Sequence, residues 1–463
     1  MQHIRLRHFS SAYTRRSLLR LVGGLASNSQ LSLTVGPRIM PSPLFALQTK
    51  IRQFASAALT NKSTAEAPRS LPTSGFQIIE SERLVEEEEL PDYQADRFFP
   101  VQLGQVFEGR YQVVAKLGFG SSSTTWLARD LRGREYVALK IYVRTSTSKL
   151  HRELPAYKRI MSRIEDASHP GRSNIRLQLA SFFLHAPSGD HLVLVLQPAQ
   201  MSLRDLKAVF FKDGFDEAFV RGAITELLKA VDFLHSECEI IHTDIHPGNM
   251  LLGLYDNDEL AKLADAEMRN PVPRKIVSPD RTIYLSRATR PKVGPMLLGD
   301  LGEARIGGHL HGGDIMPVEY RAPEVLACIA WSYPVDVWSV ALCAWDLLNK
   351  QRLFTARDEN GRLYDAAHLA QIIAAIGDAP QSFKQRNQKY TVDYWDEEGS
   401  WTGMAAIPEG RTLERLLEEN RTDLQDPSGF LDFLRQALRW VPEERPTAKE
   451  LLEHPWITGR DKG

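Results

Sequence analysis

From Tyr111 onward, apolar and polar residues alternate in short runs. The period of two predicts strands over 111–117, 124–129 and 136–142, joined by turns that contain glycine. The spacing then predicts a helix over 149–164 and two more strands over 177–185 and 192–197. After Ser202 the period lengthens. Val220, Ile224, Leu227, Leu228, Val231 and Leu234 recur at three- and four-residue spacing and predict a helix over 217–235. Further helices are expected over 335–348, 366–376, 413–418, 431–438 and 448–452. A strand-rich first part followed by a longer helical part predicts an α+β fold of two lobes with a cleft between them. No internal repeat is visible.

Composition narrows the class. With 463 residues, 43% of them hydrophobic and 25% charged, the chain matches a soluble globular protein, which excludes wholesale disorder, collagen and a membrane bundle. No run approaches the roughly 18 apolar residues a bilayer-spanning helix needs. Three cysteines (Cys238, Cys328, Cys343) cannot build a disulfide framework, so an intracellular chain with reduced thiols is expected.

Charge is unevenly placed. Residues 1–65 carry Arg5, Arg7, Arg15, Arg16, Arg20, Arg38, Lys50, Arg52 and Lys62 and no acid. The remainder holds all 58 acids against 48 bases, a balance of −10. A basic, Ser-rich, acid-free start has the composition of a mitochondrial presequence, with Arg52-Gln53-Phe54-Ala55 as a cleavage pattern. A disordered basic tail and a true start at Met40 are the alternatives. Residues 66–99, with Glu86 to Glu89 in a row, read as a solvated acidic linker. The strand-rich lobe is expected over 100–199 and the helical lobe over 200–457, with an insert over 253–295. The acidic body suits basic partners rather than nucleic acid. A monomer that does not engage membranes is expected.

Chemistry concentrates in four places. Leu117, Gly118, Phe119, Gly120, Ser121, Ser122 and Ser123 lie between two predicted strands, where glycines let backbone N–H groups come close to phosphates. Lys140 stands inside the apolar run Val137-Ala138-Leu139, and a lysine buried there needs an anion. After the long amphipathic helix, His242-Thr243-Asp244-Ile245-His246-Pro247-Gly248-Asn249 offers an Asp able to accept a hydroxyl proton. Asn249 adds an amide oxygen suited to a hard metal ion. Asp300 follows an apolar run and supplies a second carboxylate.

Together with Tyr320-Arg321-Ala322-Pro323-Glu324, Asp336-Val337-Trp338-Ser339 and the late Arg445, these motifs resemble the eukaryotic protein kinases over roughly residues 100–457. Within them the chain is most similar to the SR-protein kinases. Ser and Thr follow the second glycine, His-Thr-Asp replaces His-Arg-Asp, and Asp-Leu-Gly replaces Asp-Phe-Gly. The interval from Asn249 to Asp300 is long, polar over 253–295 and holds five prolines, like a short form of that group's spacer. Residues 365–380 and Pro442-Glu443-Glu444-Arg445-Pro446 fit the same group.

The resemblance implies a serine/threonine kinase using ATP and Mg²⁺ on basic, Arg/Ser-rich protein substrates. It assigns Lys140 to the α- and β-phosphates, Glu153 to Lys140, Asp244 to the substrate hydroxyl, and Asn249 and Asp300 to Mg²⁺. It places the loop from Gly118 to Ser123 over the phosphates and Leu117, Ala138, Leu196 and Thr125 around the adenine. The backbone of Gln197 and Ala199 is expected to bond the adenine edge. Glu324 and Arg445 are expected to pair, and Asp365, Asp378, Asp396, Glu397 and Glu398 are candidate docking acids. Two departures keep a second reading open, a pseudokinase scaffold. His246 stands where a lysine usually neutralises the γ-phosphate, and Pro317 stands where a hydroxyl residue usually joins it. Pro155 implies a helix that begins near Glu153. The segment from Asp300 to Glu324 holds no Ser or Thr, so the enzyme is expected to be active as translated.

Overall fold

The computed structural model describes residues 66–144, 152–164, 168–187, 189–288, 290–421 and 423–460. The acid-free start, with its targeting alternatives, lies outside them. Two compact units emerge. One comprises residues 66–144, Arg176–Met201 and Leu252–Pro295; the other comprises residues 152–175, Ser202–Leu251 and 296–460.

The first unit is built on an antiparallel sheet of six strands: β1 (Val106–Phe107), β2 (Tyr111–Phe119), β3 (Ser123–Asp130), β4 (Glu135–Tyr142), β5 (Gln178–Ala186) and β6 (Gly189–Leu196). Their order is β1-β2-β3-β4-β6-β5. The five predicted strands are present, and β1 is an addition too short to leave a periodic signal. Val113, Trp126, Ala128, Val137, Leu139, Val193 and Val195 pack on one face. A register shift between Val113 and Ala115 turns Val114 and Ala115, with Leu127, to the other face.

That second face is covered by the insert, which is not a polar spacer. Asp258–Arg269 is a helix whose Leu260, Leu263 and Ala264 pack on Val114, Ala115 and Leu127. The spacing of three and four was present in the sequence, masked by the polar residues and prolines around it. Arg274–Ser278 and Arg281–Tyr284 then form a hairpin across Pro279-Asp280.

Residues 66–99 also depart from the solvated reading. Glu86–Glu89 forms a 3₁₀ turn in which Glu86 is 3% and Glu87 7% exposed. Both face Lys116 of β2, whose side chain is fully buried; the Glu86 contact measures 3.4 Å. Glu86 also accepts from Ser286 N–H at 2.9 Å and its hydroxyl at 2.6 Å, and Glu88 receives Lys275 at 2.8 Å. A buried ammonium requires anions, so Lys116 draws the acidic run inside.

The second unit is helical. Glu217–Ser236 buries the six predicted apolar positions completely and starts where Asp216 accepts from Phe219 N–H. Pro334–Leu348 is buried from Val335 to Leu348. Leu203–Phe210 is a further helix, capped by Ser202, that the period did not announce. Pro427–Ala437 begins four residues before the expected start, because Asp426 caps Gly429 ahead of the apolar run. Glu324 and Arg445 form a bidentate pair at 2.7 Å, both fully buried. Among the described residues, no helix is long and apolar enough to cross a membrane.

Candidate active site

In the first unit, Leu117, Gly118 and Phe119 end β2, Gly120, Ser121 and Ser122 make the turn, and Ser123 opens β3. Gly120 N–H bonds the Ser123 carbonyl at 2.8 Å, and Val143 N–H bonds that of Ser122 at 2.9 Å. A Cβ at Gly118 or Gly120 would meet open space, so no packing within the unit demands glycine there. On β4, Lys140 lies opposite Thr125 of β3 and Leu194 of β6, and its ammonium stands 5.0 Å from the Tyr142 ring centre. Ala138 lies opposite Leu196, and both are buried.

The chain after β6 uses part of its backbone within the unit. The Gln197 N–H donates to the Leu177 carbonyl at 2.8 Å, and the Gln197 carbonyl accepts from Arg176 Nε at 2.9 Å. Its amide is therefore spent within the unit, which leaves a carbonyl lone pair and the Ala199 backbone as edge contacts.

In the second unit, the loop after Ile241 is set by one buried carboxylate. Asp336 accepts from His242 N–H at 2.7 Å, Thr243 N–H at 2.8 Å and His235 Nε2 at 2.9 Å. Thr243 adopts φ +64, a left-handed conformation unfavourable for a β-branched residue. Its hydroxyl donates to the Glu303 carbonyl at 2.6 Å. This turn presents Asp244. Asn249 Nδ2 donates to the Asp244 carbonyl at 2.8 Å and to Asp244 Oδ2 at 3.1 Å, which fixes the carboxylate and turns the Asn249 amide oxygen away. Gly299 N–H bonds the Asn249 carbonyl at 3.0 Å and brings up Asp300, itself at φ +63.

Burial, with the Asp300 carboxylate second, pushes the Asp244 carboxyl up to about 8 against the Asn249 hydrogen bond. The Asp300 carboxylate and the Asn249 amide oxygen, turned away from Asp244, are oxygen donors that fit Mg²⁺. His246 accepts Gly248 N–H at Nδ1 (3.0 Å) and turns Nε2 toward Asp244 Oδ1 at 3.6 Å. Burial pushes its imidazole down to about 3. His246 is therefore neutral and cannot replace a lysine's charge.

Glu153 is buried in the first turn of the helix Glu153–Ile164, as Pro155 implied. Pro317 caps the turn Val318–Tyr320, accepting from Tyr320 N–H at 2.8 Å. Three of the candidate docking acids bond within the unit. Asp365 holds Arg321 at 2.9 Å, and Asp378 holds Lys384 at 2.6 Å and Trp395 Nε1 at 2.9 Å. Asp396 accepts from Ser400 N–H, while Glu397 and Glu398 are exposed. Sequence reasoning missed Arg204, whose backbone N–H bonds the Pro247 carbonyl at 3.0 Å, because no motif spans residues 204 and 247.

The chain is similar to known proteins in family and fold. The protein kinase domain pattern matches residues 111–274 and 298–457. A serine/threonine protein kinase of Aspergillus fumigatus is 40% identical over 395 residues, 84% of this chain and 95% of its own. The serine/threonine-protein kinase SRPK of Physarum polycephalum is 30% identical over 80% of this chain and 91% of its own. Human SRSF protein kinase 3 is 24% identical over 80% and 90% respectively. A crystal structure of a kinase domain superposes with a TM-score of 0.59 at 22% identity, covering 78% of this chain and 99% of that one.

Proposed function

The chain belongs to the protein kinase family and is a serine/threonine protein kinase, and from that premise we propose that it transfers the γ-phosphate of ATP to serine or threonine in basic, Arg/Ser-rich protein segments. The observation that carries this reading is the Asp244–Asn249 pair, a carboxylate oriented by an amide whose oxygen is left for a metal. Asp244 accepts the proton of the attacking hydroxyl, its carboxylate held in place by the Asn249 amide. Asn249 and Asp300 hold Mg²⁺, which neutralises phosphate charge when bound. Lys140 takes the α- and β-phosphates, with Glu153 assigned to that lysine. The open space over Gly118 and Gly120 suits close passage of the nucleotide. Leu117, Thr125, Ala138 and Leu196 are assigned to the adenine.

The charge of the chain supports this substrate class. Beyond residue 65 the chain stands at −10, and Glu397 and Glu398 are exposed acids in the helical unit. Arginine-rich segments complement such a surface. A scaffold without catalysis gains nothing from the geometry, since the oriented base and the metal-holding residues are all retained.

Transfer of radiolabel from ATP to an Arg-Ser peptide tests the assignment. Asp244→Asn should lose about 10²–10⁴-fold in turnover with nucleotide affinity nearly unchanged, because the carboxylate meets the hydroxyl proton rather than the adenine. Wild-type turnover in the variant would overturn it.

A further inference from the structure

His246 stands where kinases usually place a lysine beside the transferred phosphate, and its Nδ1 accepts Gly248 N–H, so the ring offers no such cation there. A charge stands next to it from another element. Arg204, in the first turn of the helix Leu203–Phe210, is tied to the loop by its N–H bond to the Pro247 carbonyl. Its side chain reaches back over Gly248. A Cβ built on Gly248 would lie 2.8 Å from Arg204 Cζ and 2.7 Å from His246 Cε1. Real Cβ atoms do not approach other atoms that closely, so glycine at 248 is what admits the guanidinium beside the histidine ring. Gly248 has no left-handed φ, so backbone conformation does not explain the residue.

The guanidinium is not neutralised where it stands. Among the described residues, its one ion-pair contact is Nε to Asp205 Oδ1 at a long 3.9 Å, and its side chain is 44% exposed. Its charge acts on both Asp244 and His246. An arginine is always protonated, so its charge does not depend on the loop's own ionisation.

We infer that Arg204 supplies the positive charge that His246 cannot, facing the γ-phosphate of ATP beside Asp244, and that Gly248 is the opening that lets it in. The inference rests on the kinase reading and adds to it a cation from a neighbouring helix. Arg204 acts here as a phosphate-facing residue, and Gly248 as a positioning residue.

The test separates the two claims by measuring binding and turnover on the full chain. Arg204→Met should weaken Mg·ATP binding roughly tenfold while leaving Mg·ADP binding within about twofold, since only the γ-phosphate is lost as a partner. It should also lower kcat roughly tenfold or more. Arg204→Lys should retain most of both, and adding His246→Lys to Arg204→Met should restore kcat, because the charge has been moved rather than removed. Gly248→Ala should copy Arg204→Met. Thermal melting of each variant checks that the fold is kept. An ATP-over-ADP preference that is unchanged by Arg204→Met overturns the assignment, whether or not the enzyme turns over. A wild type without phosphoryl transfer, whose ATP preference is still lost in Arg204→Met, would sink the catalytic reading and keep the arginine.

Discussion

His368 is a histidine held neutral by its place in the fold. It is fully buried, its Nε2 bonds the Arg321 carbonyl at 3.0 Å, and burial pushes it down to about 4. Among the described residues its Nδ1 has no partner, so a proton there would be buried unsatisfied. The unfolded chain takes up that proton near 6.5 and the native state only near 4. The stabilising effect is therefore complete above 6.5 and is lost as pH falls through that window. Between pH 7 and pH 5 this one group should cost about 2 kcal/mol of stability. His368→Gln, which keeps a donor for the Arg321 carbonyl, should flatten that slope in denaturant melts; equal slopes would refute the account. The consequence reaches the site, because Arg321 leads into Ala322-Pro323-Glu324 and its guanidinium is held by Asp365. At this scale the sequence revealed which residues carry chemistry but not which of them are charged. The position of His246 announced a missing cation. The cation's replacement, Arg204, was invisible because it comes from a helix with no motif of its own.

Elements were legible where a single period dominates. The helix Glu217–Ser236 and the strands β2 to β6 follow from spacing alone, since one face of each must be buried. Legibility failed where charge enters the core. Four consecutive glutamates are ordinarily solvated, and nothing local in 86–89 says that Lys116 lies buried on β2 to meet them. The insert helix failed for a related reason, its three apolar positions being outnumbered by charge. The acidic turn should therefore behave as a structural part. Removing one partner of a buried pair leaves an uncompensated charge, at a cost of roughly 3–5 kcal/mol. Glu87→Ala, which leaves Lys116 only the longer contact to Glu86, should lose a large part of that in thermal or denaturant melts, and Lys116→Met, which strips both glutamates of their cation, should lose the whole of it. A Glu87→Ala protein as stable as the parent would show that the run is only a linker.

At the scale of the whole molecule, the question is what keeps the segment from Asp300 to Glu324 in place. Many kinases wait for a phosphate there, received by an arginine before the catalytic Asp. This chain has Thr243 at that position and no Ser or Thr in the segment. Built-in contacts replace the switch. Thr243 bonds Glu303, Arg305 and Ile306 pair with Ile241 and Ile240, and Gly307 N–H bonds the Glu239 carbonyl at 2.7 Å. Further along, His311 and Trp331 exchange backbone bonds at 2.8 and 2.9 Å, their rings stack at 5.2 Å, and Trp331 Nε1 donates to the Gly313 carbonyl at 3.0 Å. Arg321 closes the run on Asp365. Each tie is modest alone, about 1 kcal/mol, but they are spread over the full length of the segment and need no modification. The enzyme should therefore be active as translated. Phosphatase-treated protein should keep its full rate, and Trp331→Ala, which removes the central anchor, should slow it while phosphorylation cannot restore it. A large loss on phosphatase treatment, recovered by phosphorylation within residues 300–324, would show instead that Tyr320, the segment's one hydroxyl side chain, carries a switch despite its burial.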